Sequence, residues 1–478
     1  MIEYFSLSTS NGGSEVYQDY DMITSLAPWN ISRLIKNLGC SLPFLDTYYM
    51  YAYKQQQTAD ISLQKNSKRH ILRWFGDHIL FLARKMLQPT SFIGNIERPS
   101  MLKVAVISSS LDHVKRGVET WAKDLGYALK EKGVRVTLYK GSGKINGNFE
   151  TVIPCLRCGS GVSKAIQRIL PPFRWHLGFG SEFQAQQTTF TLNLIPELLI
   201  RNFDIVHTQD PDVANIIRVL NKVGLIKAKV ILAHGTEEPS EFIRKFDYLQ
   251  HLAPFHMQEA IAQGINGSKH FAIPNFVDTD KFRPEVKSDL RKELGIPEDA
   301  FVVLSVAAIK KVHKRIDYLI NSINILNNNK VYLVIAGAKS AETEALIELG
   351  KKKLGDRAIF LTDFPRERMN EVYVTADVFV LCSLFEMFGI VFLEAMSSSV
   401  PVLGHTHPVF RWIIGEGGEC IDMAKEGELA KTIEKYMDES YRKEKGQKAR
   451  ERAVKDFSKD VVVDKIIEMY KEVLECSH

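Results

Sequence analysis

No run of apolar residues in this chain approaches the roughly 18 that a membrane-spanning helix requires, so a bilayer crossing is not expected. The opening residues, "MIEYFSLSTSNGG", lack the basic-then-apolar layout of a secretory signal, and the expected location is the cytoplasm. Cysteine is scarce. The six residues, at 40, 155, 158, 382, 420 and 476, are too scattered for a disulfide framework. Cys155 and Cys158 have C-x-x-C spacing in "PCLRCG", but a structural zinc site needs four ligands and no second pair follows. Ordinary thiols are the favoured reading. An excess of one charge is missing too: 62 Lys and Arg stand against 57 Asp and Glu, a formal charge of +5. That balance gives no reason to expect a nucleic-acid partner. Repeats of solenoid period are absent.

What is present fits a soluble globular protein. The chain has 478 residues, 45% hydrophobic and 25% charged, enough for two or three domains. Residues 1–100 read as an amino-terminal extension of unknown role, rich in Tyr, Gln, Ser and Asn. Within it, "HILRWFGDHILFLARKM" (70–86) predicts a helix with a broad apolar face, packed on a neighbouring domain. A basic amphipathic helix at a membrane surface is the competing reading. From residue 101 the character changes. "MLKVAVISSS", "VRVTLYK", "FDIVHTQDP" and "KVILAHG" predict strands, with helices such as "GVETWAKDLGYALKEKG" between them. The alternation resumes after "IPNFVDTDKFRP" with "FVVLSVAAI", "VYLVIAG", "AIFLTD", "VFVLCS" and "PVLGH". Alternation of this kind predicts parallel, doubly wound sheets. The expected fold class is α/β, with two Rossmann-like domains, 101–275 and 276–460, facing a cleft. A terminal helix over 461–478 is open to crossing back to the first domain.

Ligands of such sheets bind outside the carboxyl ends of the strands. In the first domain those ends offer Gly117, where a strand-to-helix turn lets backbone amides approach an anion, and His234. In the second, Lys310, Lys311, Lys314 and Arg315 follow "SVAAI" as a basic cluster; a solvated face is one reading, phosphate binding the other. The stretch "LCSLFEMFGIVFLEAMSSSVPVLG" (381–404) poses the sharper question, because Glu386 and Glu394 sit in an otherwise apolar run. Glu386 precedes a buried helix near its positive end, where a capping role explains it. The amides of Gly389 and Ile390 are among the unpaired donors of that helix's first turn. Glu394 lies inside the helix, where an apolar residue would pack at lower cost.

"E-x-F-G-x-V-x-L-E-A-M" (386–396) resembles the E-x(7)-E motif of retaining glycosyltransferases of the GT-B fold, in particular glycosyltransferase family 4. "GVETWAKDLGYAL", "IPNFVDTDKF", Lys314 within "HKRIDYLI" and "PVLGHTHPVFRWIIGEGGECID" agree in order and spacing over residues 101–478. The resemblance implies a GT-B architecture: an acceptor-binding first domain and a donor domain that grips a nucleotide-sugar. It implies that Glu394 binds the ribose hydroxyls, that Glu386 contacts the transferred sugar, and that Gly389 and Ile390, with Phe388 between them and Glu386, border the donor. Lys314 would neutralise the departing diphosphate, His234 would reach the donor sugar from the opposite domain, and Gly117 would let the first domain's loop close over the phosphates. One departure stands out. Ala307-Ala308 occupy the place of the family's Gly-Arg, so Lys310, Lys311 or Arg315 would have to replace that arginine. A sugar-nucleotide binder without turnover, and an epimerase of the same fold, are the alternatives.

Other signals carry less. "GSGKING" (141–147) lacks the G-x-G-x-x-G spacing of a dinucleotide loop. "DPD" (210–212) and "DTD" (278–280) match a D-x-D metal pattern twice in one chain, and His405 and His407 make at most half a site. No cofactor and no essential metal are expected. The acceptor stays open among glycan, lipid, protein and small molecule. Basic, aromatic residues 163–180 fit either a peripheral membrane contact or an acceptor lid.

Overall fold

The computed structural model describes residues 102–114, 117–169 and 178–475. The extension over 1–100, with its expected helix at 70–86, lies outside the described residues, as do 170–177 of the basic, aromatic segment.

The first sheet contains β1 (Lys103–Ser108), β2 (Arg135–Lys140), β3 (Glu150–Val152), β4 (Ile205–Thr208), β5 (Lys229–His234), β6 (Tyr248–His251) and β7 (Lys269–Ala272). Its principal helices are α1 (Gly117–Glu131), α2 (Gly161–Ile169), α3 (Glu182–Arg201), α4 (Pro211–Lys222) and α5 (Pro254–Ala262). Every pairing is parallel, in the order β3-β2-β1-β4-β5-β6-β7. The second sheet is built from β8 (Phe301–Val306), β9 (Val331–Gly337), β10 (Ala358–Thr362), β11 (Val378–Val380), β12 (Val402–His405) and β13 (Gly418–Ile421). It too is parallel, ordered β10-β9-β8-β11-β12-β13. Its principal helices are α6 (Ile316–Ile325), α7 (Thr343–Leu354), α8 (Met369–Val374), α9 (Ile390–Ser397), α10 (Pro408–Ile414), α11 (Glu428–Tyr436) and α12 (Glu439–Phe457), and α13 (Lys459–Glu475) follows them in the chain.

The strands read as continuous apolar runs because helices cover both faces of each sheet, so alternation would expose nothing useful. Residues 104–107 of β1 and 302–304 of β8 are wholly buried. Each sheet reverses its winding once, at β1/β4 in the first and at β8/β11 in the second. Those two switch points are where exit loops diverge and leave a crevice for a ligand.

The helix α13 belongs by packing to the first domain. Val462, Val463, Ile466, Met469, Tyr470 and Val473 recur at helical spacing and join Trp121, Leu125 and Leu129 of α1 in one core. The Tyr470 hydroxyl lies 2.7 Å from His207 Nδ1 on β4. Two segments therefore cross between the domains. They touch at a parallel bridge, Val277 with Ser458, where the Val277 amide donates to the Phe457 carbonyl and the Lys459 amide to the Val277 carbonyl, each at 2.9 Å.

Candidate functional site

At the second switch point the exit loops of β8 and β11 lie side by side. The β8 loop turns tightly: His313 and Arg315 both adopt left-handed backbone, φ 71° and 52°, which residues with side chains rarely do. This turn brings Lys314 onto the β11 loop, where its Nζ donates to Glu386 Oε1. The two side chains are only 18% and 15% exposed, so the pair is largely withdrawn from water. His313 Nε2 stands 3.7 Å from the other Glu386 oxygen.

Gly389, at φ 92°, opens α9 in a conformation that favours glycine, and a β-carbon there would come within 3.1 Å of Phe392. The helix is buried through Phe392, Leu393, Ala395 and Met396. Glu394 is one turn in. The Tyr373 hydroxyl of α8 donates to its Oε2 at 2.5 Å, and Oε1 makes no hydrogen bond to a described residue. Burial raises the Glu394 carboxyl above its ordinary pKa, against the opposing pull of the Tyr373 bond and of the Arg366 charge. One oxygen of a half-buried carboxyl is thus left for an outside donor.

The first domain meets this loop and helix at several points. Gly117 lies opposite the start of α9, its missing β-carbon 3.7 Å from Ile390 Cδ1. His256, on α5, donates from Nε2 to the Met387 carbonyl at 2.9 Å, a bond between residues 131 apart in sequence. Arg366, just before α8, donates to Thr120 Oγ1 of α1 and stands 4.0 Å from Asp124. His234 ends β5, paired laterally with His251 and with its ring centroid 6.4 Å from that of His256. Burial first, and then neighbouring His256, push its imidazole down to about 4, so it is neutral at physiological pH. Both its ring nitrogens are buried without a well-aligned protein partner.

Glu386, Lys314, Gly389, Ile390, Glu394 and Gly117 are therefore gathered around one helix terminus, with His234 beside the His256 tether. Phe388 is not part of that lining. Its side chain, 3% exposed, faces Trp412 and Phe457 in the core, since the chain must bury that residue as it turns into α9. Arg315 is committed elsewhere as well: its Nη1 donates to the Met423 carbonyl at 2.7 Å and its guanidinium stacks over Tyr318. Lys311 faces Asp317 at 3.6 Å. Of the cations weighed as replacements for the missing arginine, Lys310 alone has no described side-chain partner. His256, Tyr373 and Arg366 are the residues that sequence reasoning missed. Only Arg366 carried a signal, as a cation following a strand.

The discounted motifs have structural explanations. Asp210 Oδ2 accepts from the Ser109 amide at 2.6 Å, and Asp278 Oδ1 from the amides of Asp280 and Lys281. The Cys155 thiol is pushed up to about 12 by burial. No helix among the described residues is long and apolar enough to cross a membrane.

Residues 286–456 match the family model of glycosyl transferases group 1, so this part of the chain carries a group 1 glycosyltransferase domain. The alpha-galactosylglucosyldiacylglycerol synthase of Streptococcus pneumoniae is 28% identical over 206 residues, 41% of this chain and 53% of that protein. The O-antigen biosynthesis glycosyltransferase WclY of Escherichia coli is 32% identical over 146 residues, 30% of this chain and 39% of that protein. The chain thus spans about half, or less, of the length of the curated relatives it matches. Among solved structures, sucrose-phosphate synthase from Thermosynechococcus elongatus superposes with a TM-score of 0.66 at 17% identity, over 79% of this chain and all of that one. Anabaena HepE in complex with UDP and glucose gives 0.59 at 15% identity, over 78% of this chain and all of that one. At such identities the likeness is one of fold: two Rossmann-like domains in the GT-B arrangement.

Proposed function

We propose that this protein is a glycosyltransferase of the family 4 type, which moves a sugar from a nucleotide-sugar to an acceptor held by the first domain and retains the anomeric configuration. The observation that carries the reading is the placement of Glu386, Lys314 and Glu394 around the amino end of α9, with Gly117 of the first domain opposite. Glu394 accepts two ribose hydroxyls, one in exchange for the Tyr373 bond. Glu386 accepts hydroxyls of the transferred sugar. The anomeric C–O bond to the β-phosphate breaks, building positive charge on the sugar and negative charge on the diphosphate. Lys314, Lys310 and the amides of Gly389 and Ile390 stabilise that negative charge, so no essential metal is required. The acceptor oxygen bonds to the anomeric carbon on the face the phosphate leaves, and its proton passes to the departing phosphate oxygen. Domain closure excludes water, which would otherwise hydrolyse the donor. We place this activity in the cytoplasm, with peripheral contact at the membrane surface if the acceptor is lipid-borne.

A panel of nucleotide-sugars tests the proposal. At least one is expected to raise Tm, since binding to the native state stabilises it, and to be slowly hydrolysed. Glu394→Ala should weaken its binding by about ten- to a hundredfold in calorimetry. Nuclear magnetic resonance of the transferred product reads the anomeric configuration. If no nucleotide-sugar stabilises the protein, the reading falls.

A further inference from the structure

Resting on the glycosyl-transfer reading, we propose that the carboxyl ends of β4 and β5 form the acceptor subsite, and that it takes an uncharged, hydroxyl-rich sugar ring rather than a phosphorylated one. Asp212, Glu238 and Gln209 bind its hydroxyls.

The location follows from topology. β4 flanks the first sheet's switch point, and the bond from the Ser109 amide to Asp210 holds the β1 and β4 exit loops together. Asp212, in the first turn of α4, receives one long contact, from Gln184 Nε2 at 3.5 Å. Glu238, in the loop after β5, accepts from Thr236 Oγ1 at 2.9 Å. The second oxygen of each carboxyl has no described partner. No described lysine or arginine pairs with either group. Burial, aided by the charges of Glu238 and Asp210, pushes the Asp212 carboxyl up to about 6, and burial raises Glu238 as well. Two half-buried carboxyls without a cation are costly to keep, unless something from outside donates to them.

Gln209 supplies the independent sign of a ligand. It is 4% exposed, and its Nε2 is buried with no hydrogen-bond partner. Its side chain lies over Gly235, where a β-carbon would stand 2.5 Å from Gln209 Oε1. Covalent geometry therefore keeps the unused Nε2 near Gly235, the residue that follows His234 and leads into the turn that carries Glu238. The subsite offers carboxyl oxygens that accept and an amide that donates. Phosphate brings no donors and is repelled by the carboxyls. An ammonium satisfies the carboxyls and leaves the Gln209 donor empty. Sugar hydroxyls, which both donate and accept, satisfy all three. The cleft then sorts its substrates by charge, with Lys310 and Lys314 on the donor wall and carboxyls on the acceptor wall.

The experiment uses the full chain and whichever nucleotide-sugar it hydrolyses. Candidate acceptors are methyl α-glucoside and methyl α-galactoside, octyl glucoside micelles, glucose 6-phosphate and glucosamine. Transfer to a neutral glycoside in preference to the phosphate and the amine is expected; octyl against methyl glycoside tells a lipid-borne ring from a free one. Isosteric Asp212→Asn and Glu238→Gln should each raise the acceptor KM about tenfold or more, with nucleoside diphosphate affinity held within about twofold. Preference for the phosphate or the amine overturns the proposal, as does donor hydrolysis without transfer to any neutral ring, or an acceptor KM unmoved in both variants. If no nucleotide-sugar binds at all, the glycosyl-transfer reading itself fails and takes this one with it.

Discussion

Lys314 and Glu386 form an ion pair largely withdrawn from water. The cation that the proposed function assigns to a diphosphate and the carboxyl it assigns to a sugar hold each other. Neither is then an uncompensated charge in a partly dry cleft, which would cost several kcal/mol. Under the proposed function, donor entry exchanges this pair for contacts with the ligand. The pair is testable by a double-mutant cycle in urea unfolding. Lys314→Ala alone leaves Glu386 with His313, at 3.7 Å, as its one ionisable partner among the described residues, and is expected to cost about 1–3 kcal/mol. Adding Glu386→Ala should recover at least about 0.5 kcal/mol of that, because the stranded carboxylate is gone. Strict additivity would mean that the two groups do not feel each other. Lys314→Ala should also slow the formation of nucleoside diphosphate, read by its appearance during turnover.

At the scale of elements, α5 reaches the candidate site in a way that its sequence does not advertise. Its His256 fixes the Met387 carbonyl, and through it the loop that aims Glu386 and delivers the chain to Gly389. A carbonyl only accepts, so the proton sits on Nε2. His256→Ala should lower kcat/KM about tenfold or more by loosening that loop, while His256→Gln, whose amide reaches a similar position, should restore most of it. Equal losses in both variants would argue for a merely packing role. The same scale shows what could be read beforehand. β8, β9, β11 and α9 were legible because each is an apolar run whose period or length admits one reading, and the Glu386–Glu394 spacing was legible because both lie in one such run. The helix α3 was not. "EFQAQQTTFTLNLIPELLIR" carries Pro196 and buries Gln186 and Thr189, whose polar atoms are satisfied by Ser110 and Leu156. Periodicity cannot see burial that is satisfied by partners far along the chain. His256 was hidden for the same reason, and Phe388 was misplaced because a motif position says nothing about which way a side chain turns.

For the whole molecule, the first domain carries a row of histidines that should make its stability depend on pH. His207, His234 and His251 end β4, β5 and β6 or lie near those ends, and burial lowers them to about 3, 4 and 3. The unfolded chain binds protons at each below its ordinary value of 6.5, whereas the native state does not. Their contribution is thus fully present above pH 6.5 and is lost as pH falls toward 4. Asp212, Glu238 and Glu394 act in the opposite sense, since burial raises them and the native state holds their protons more tightly. A total pH profile mixes the two, so a difference between variants is the cleaner measurement. His207 is the best probe, being wholly buried and bonded to Tyr470 of α13 across the molecule. Between pH 7.5 and 5.5 the unfolding free energy of the protein should fall by about 1 kcal/mol more than that of His207→Gln, the linkage expected of one histidine that stays neutral when folded. Parallel curves would show that His207 takes up its proton without unfolding, and that the α1–α13 layer opens locally to admit it.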